Sequence, residues 1–236
     1  MADDIPRWER RGAMLRWCAG LAVADAVMIA ITAARFAYDS TTRWIAVASA
    51  VVMLATAATF QWMSRRPISA DALAWRTQTI RVGAWLGALW VIEISTNNLA
   101  TPPVPLRDHI DNAFWLTIAV VMLAYTARAA HRAQAIGVGV SAGAWMGAVS
   151  GLIACTAGLV LIAFGTVLLA RDPVNVTEWA ARGASTTAPN IEAYFAFESL
   201  AGALGHLTVL GIVMGTLLGA IGGVLGAGAR AVRGAK

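Results

Sequence analysis

Residues 137–170 read GVGVSAGAWMGAVSGLIACTAGLVLIAFGTVLLA, 34 consecutive positions without a charged side chain. About 20 predominantly apolar residues cross roughly 30 Å of hydrocarbon at 1.5 Å per residue, and this run is long enough for about 51 Å of helix. Such a segment belongs in a lipid bilayer rather than in the core of a water-soluble domain. The excess length asks for a strong tilt or a break. The opening Gly137-Val-Gly-Val-Ser-Ala-Gly143 is poor in helix formers, so the expectation is a turn or short interfacial piece over 136–144 and a span from about 145.

The rest of the 236-residue chain agrees with that environment. Hydrophobic residues make up 58% and charged residues 13%, with mean hydropathy +0.66. Soluble domains carry about 25% charged residues, so a soluble globule and a disordered chain are both excluded. Cys18 and Cys155 each sit inside an apolar run, which excludes a disulfide scaffold. Arginines at the ends of the apolar runs mark the boundaries. The expected fold is an all-α, polytopic transmembrane bundle of about six helices, a single membrane domain over residues 1–236. Its spans fall at about 14–37, 44–64, 81–98, 112–130, 145–170 and 196–228, with external loops at about 99–111 and 171–192.

Sorting the 18 basic residues onto alternate sides of six helices puts 13 on the side of both termini and 5 on the other, namely Arg35, Arg43, Arg107, Arg171 and Arg182. The positive-inside rule then makes both termini cytoplasmic. Arg7, Arg10, Arg11, Arg230, Arg233 and Lys236 are among the 13. The same asymmetry accounts for the net charge of +5 as lipid-facing charge, and no basic, aromatic-interleaved patch points to nucleic acid. The first run follows a basic stretch but is long, contains Asp25 and lacks a small-residue cleavage site, so an uncleaved first helix is expected. Seventeen arginines against one lysine fit a GC-rich bacterial genome, and with it an inner (plasma) membrane location. Trp17, Trp44, Trp62, Trp115 and Trp145 fall near span ends, where indole prefers the headgroup level, whereas Trp85 and Trp90 are placed as packing residues.

In the loops, Thr101-Pro-Pro-Val-Pro105 reads as an extended spacer. Asp172-Pro173 reads as a helix cap followed by proline at the first helical position, which predicts a short surface helix over 174–181. In the last span Gly211, Gly215, Gly219 and Gly223 repeat every four residues, with Gly222 and Gly226 as a second pair, the spacing of a close helix-packing face. Its partner is left open among another helix of this chain, a second copy and another membrane protein.

Chemistry is sought among ionisable groups inside the spans, since a charge at mid-membrane costs roughly 2.5–3.5 kcal/mol on insertion scales. The candidate binding residues are Asp25, Glu93, Glu198 and His206, with Asp25 sharpest because it lies halfway between Arg16 and Arg35. The three histidines, His109, His131 and His206, show no paired ligand spacing, so no metal and no cofactor is expected, and no catalytic residue is assigned. Gly139-Val-Ser141-Ala-Gly143 matches G-x-S-x-G, but the nucleophile elbow needs a strand-turn-helix. A serine before the fifth span and a histidine on the sixth resemble rhomboid-type proteases in outline. Gly147-Ala-Val-Ser150-Gly151 and His206-Leu-Thr-Val-Leu-Gly211 depart from that family's glycine spacing.

Three readings follow. In the first, the four candidates line a polar pathway for protons, ions or a small solute. In the second, the chain is a non-catalytic accessory or assembly subunit that binds partners through the glycine face and the 171–192 loop. The third is an intramembrane enzyme using Ser141, Ser150 or His206.

Overall fold

The computed structural model describes residues 12–234, which are helical along most of their length and contain no strand. The basic residues Arg7, Arg10, Arg11 and Lys236 of the expected cytoplasmic termini lie outside the described residues. Five helical segments are long and apolar enough to cross a membrane: Ala13–Phe36, Ser40–Arg65, Val104–Ala133, Ile136–Arg171 and Ile191–Gly228. The chain is a multi-pass membrane protein. A sixth long helix, Ala70–Ser95, carries Asp71, Arg76, Arg81 and Glu93 and does not reach the apolarity of the other five, so the expected third span is not among them.

The helices are α1 (Ala13–Phe36), α2 (Ser40–Arg65), α3 (Ala70–Ser95), α4 (Val104–Ala133), α5 (Ile136–Arg171), α6 (Pro173–Arg182), α7 (Ile191–Gly205) and α8 (Met214–Gly234). A π-helical stretch, Thr96–Ala100, extends α3, and a second, His206–Val213, joins α7 to α8. The chain divides into two compact units. One holds residues up to Thr77 together with Cys155–Leu204, the other Gln78–Ala154 together with the chain from Gly205.

The first unit is built on the α1–α2 hairpin. Its turn is fixed by Asp39, whose carboxylate accepts the Thr42 backbone N–H at 2.7 Å while the Thr42 hydroxyl reaches back to the Asp39 N–H, a reciprocal cap. Thr187 donates its hydroxyl to the other Asp39 oxygen at 3.1 Å, tying the segment before α7 to this turn. The buried stripe of α1 is made mostly of small residues, Cys18, Ala19, Ala22, Asp25, Ala26 and Thr32, which lets neighbours pack close. α5 breaks its helical geometry at Gly165 (φ −117°, ψ 16°), and Arg35 Nη1 donates to the Ala163 carbonyl at 2.5 Å beside this kink. The Asp172-Pro173 signal is met by α6: Asp172 accepts the Val174 N–H at 3.0 Å, and Glu178 on α6 accepts from the Tyr194 hydroxyl at 3.2 Å.

The second unit corrects three expectations. Residues 136–144 are not an interfacial turn but the first turns of α5. The reason is the glycines themselves, since Gly139, Gly143, Gly147 and Gly151 repeat every four residues and face Gly223, Gly219, Gly215 and Gly211 backbone to backbone. A methyl at Gly143 or Gly147 would land on the carbonyl oxygen of Gly215 or Gly211, and one at Gly219 would sit 2.6 Å from the Gly139 oxygen. Two glycine ridges therefore interlock, and the dispersion attraction between their backbones offsets the weak helix propensity of glycine. Gly222 and Gly226 pack in turn on Thr126 and Ala127 of α4. The partner of the last helix's glycine faces is the chain itself.

Residues 99–111 are likewise not one loop, and the extended spacer is shorter than 101–105. Only the stretch around Pro102-Pro103 is extended, α4 begins at Val104, and Pro105 occupies the first turn, where a missing N–H costs nothing. Finally, Trp85 is 77% exposed rather than a packing residue, whereas Trp90 is buried in a core with Leu86, Ile118, Met122 and Met146.

Candidate functional site

Asp25 lies on the buried face of α1 and is 0% exposed. Thr156 of α5 donates its hydroxyl to Asp25 Oδ2 at 3.1 Å, and Oδ1 has no hydrogen-bond partner among the described residues. Cys18 and Thr32, each seven residues from Asp25, share its side of the helix about 10 Å away along the axis, and both are 0% exposed. The Thr32 hydroxyl is also without a partner among the described residues. Cys18 and Cys155 are buried as free thiols in the same unit. Among the described residues no arginine or lysine forms a salt bridge with Asp25. A carboxyl held by one hydroxyl among small side chains has the equipment to bind and release a proton. Among the described residues no group of three or more His, Cys, Asp or Glu side chains surrounds it to hold a metal ion.

Sequence reasoning found Asp25 and missed Thr156, Cys18 and Thr32. The seven-residue spacing of Cys18, Asp25 and Thr32 was the available signal, since those positions recur on one face after two turns.

Glu198 belongs to the same unit but is exposed on α7, beside buried Phe197 and Leu200. The structure does not bring it to Asp25. Glu93 and His206 belong to the other unit. Glu93 is buried, and Asn97 one turn on donates to its Oε1 at 2.7 Å and to Asp111 Oδ1 at 2.6 Å. His206 is half-buried in an aromatic cluster. Its ring meets Trp90 edge to face at 5.1 Å, and Trp90 meets Trp115 the same way at 4.8 Å. Asp111 was not singled out from the sequence because residues 99–111 read as a loop, and Asn97 was passed over because it is not ionisable. The i, i+4 spacing of Glu93 and Asn97 was legible.

Within the first unit a cleft of about 490 Å³ opens between α1 and α2, lined by residues that include Ile29, Ala33, Arg43 and Val47. None of the four candidate residues lines it. Ser141 and Ser150, the serines of the enzyme reading, are both inside α5, and Ser150 donates to the Gly147 carbonyl at 3.3 Å. A helical Ser141 cannot form a nucleophile elbow.

No protein family model matches the chain, and neither curated proteins nor solved structures gave a match.

Proposed function

We propose that this multi-pass membrane protein moves protons, with Asp25 as the group that carries them, in an inner membrane and with both termini cytoplasmic. The observation that carries the reading is the Asp25 carboxyl itself: wholly buried in a span, held on one oxygen by Thr156 and open on the other. An ionised carboxylate at mid-span costs about 2.5–3.5 kcal/mol, so charge at this position is coupled to whatever admits water or a donor to Oδ1. The Thr156 hydroxyl orients Oδ2 in either state, since a hydroxyl both donates and accepts. The arginine asymmetry, sorted over six spans with α3 taken as the sixth, supports the orientation.

The glycine face that would have served an accessory subunit is engaged within the chain, which removes one of the two features on which that reading relied and leaves the 171–192 loop. Proton flux into liposomes under an imposed potential tests the proposal. Wild-type protein is expected to conduct, and Asp25→Asn to lose at least tenfold of that flux while remaining folded and inserted. Equal flux in the two proteins would overturn the reading.

A further inference from the structure

Acids gather at a second place, in the unit that does not contain Asp25. Glu93 stands one turn before the π-helical end of α3, and Asn97 spans from it to Asp111 in the second turn of α4. One amide nitrogen, Asn97 Nδ2, uses its two hydrogens on two acids, Glu93 Oε1 at 2.7 Å and Asp111 Oδ1 at 2.6 Å. Sharing that one nitrogen keeps Glu93 Oε1 and Asp111 Oδ1 close to each other across it. Two ionised carboxylates held that close repel, and a proton on one of them relieves the repulsion.

The charges nearby fit a pair with one net negative charge. Arg107 Nη2 donates to the Asn97 backbone carbonyl at 3.2 Å, which brings one guanidinium to the cluster. Asp108 and His109, on the same turns of α4, are exposed, and from the π segment after α7 the nearest ionisable ring is His206, edge-on to Trp90 one turn before Glu93. At Gly87, two turns before Glu93, α5 presents Ile153, which carries no charge. A further observation points to exchange with water. Asn97 is 8% exposed, and its Oδ1, on the amide that holds both acids, has no hydrogen-bond partner among the described residues. A buried polar acceptor of this kind is where an ordered water donates.

We propose that Glu93 and Asp111 form a one-proton site, a carboxyl pair that binds a single exchangeable proton independently of Asp25. In the loaded state one carboxyl donates to the other and both accept from Asn97. On release the proton passes to water at Asn97 Oδ1, leaving two carboxylates with two negative charges against the one charge of Arg107. Uptake reverses both changes. The pair works as a unit because ionising the second acid beside the first is opposed by like charge.

Infrared spectroscopy of the full chain in lipid, in an Asp25→Asn background, reads the protonated carboxyl directly, and its outcome does not depend on the role of Asp25. At neutral pH a deuterium-sensitive carboxylic acid band is expected, and the same component is expected to vanish in both Glu93→Gln and Asp111→Asn, each leaving a lone ionised acid near Arg107. A component lost in only one of the two variants assigns the proton to a single residue and overturns the sharing. Absence of any such band in the parent protein overturns the site, and this result needs no variant to fold.

Discussion

Replacing Thr156 by valine keeps the shape of the residue and deletes the one hydroxyl on Asp25, leaving both carboxyl oxygens without that donor. Losing one partner of a buried hydrogen bond costs about 1–3 kcal/mol. The variant is expected to lower the melting temperature of the purified protein and to slow proton flux less than Asp25→Asn does, because the titrating group remains. Glu198→Gln, at an exposed position, is expected to change neither stability nor flux in the same two assays. Asp39 responds to pH differently. The Thr42 backbone N–H, then the Thr42 hydroxyl, holds its carboxyl below the ordinary value of 3.8. A carboxyl lowered on folding contributes stability above its unfolded value and loses it as pH falls through the folded one. Thermal unfolding followed as the pH is lowered into the acid range is therefore expected to show a loss of stability that Asp39→Asn, whose amide still caps but does not titrate, lacks. Of these residues Asp25 and Glu198 were singled out in the sequence, Asp25 most sharply. A lone aspartate between two arginine boundaries is visible as a violation of hydropathy, whereas Thr156 is an ordinary threonine until the fold sets it opposite.

The helices were legible because hydropathy over some twenty residues is a strong signal: three of the six expected spans lie close to helices long and apolar enough to cross a membrane, while the helices at the fourth and fifth begin about eight and nine residues early. Residues 136–144 were misread for a physical reason. Glycine weakens a helix whose backbone is exposed to water, but it strengthens one whose backbone must touch another. The repeat at Gly139, Gly143, Gly147 and Gly151 carried that information, and it complements the repeat at Gly211, Gly215, Gly219 and Gly223. Two glycine variants separate these effects. Gly20→Ala on α1 meets no atom within 4 Å and is expected to stabilise by about 0.5–1 kcal/mol, the ordinary helical preference for alanine. Gly147→Ala places its methyl on the Gly211 carbonyl and is expected to destabilise by about 1–3 kcal/mol, the cost of overpacking. Unfolding in detergent with increasing denaturant measures both. Equal effects would mean that the ridges do not interlock.

At the scale of the molecule, composition settled the environment, and the buried acids are distributed over two units: Asp25 with Thr156 in one, Glu93 with Asn97 and Asp111 in the other. No periodicity could show that division, because α3 and α5 each run through both units. The last helix, which read as the surface most suited to a partner, spends its glycines on α5 and α4. The proposed proton chemistry rests on Asp25 and on the Glu93–Asp111 pair, and Asp25 decides the central claim. The most direct measurement is proton flux in liposomes containing equal amounts of wild-type protein, Asp25→Asn or Asp25→Glu. Flux that is present in wild type, absent in Asp25→Asn and partly restored in Asp25→Glu is the expected result, since only a titrating carboxyl carries the proton. Undiminished flux in Asp25→Asn, or none in the wild type under any imposed gradient, would contradict it.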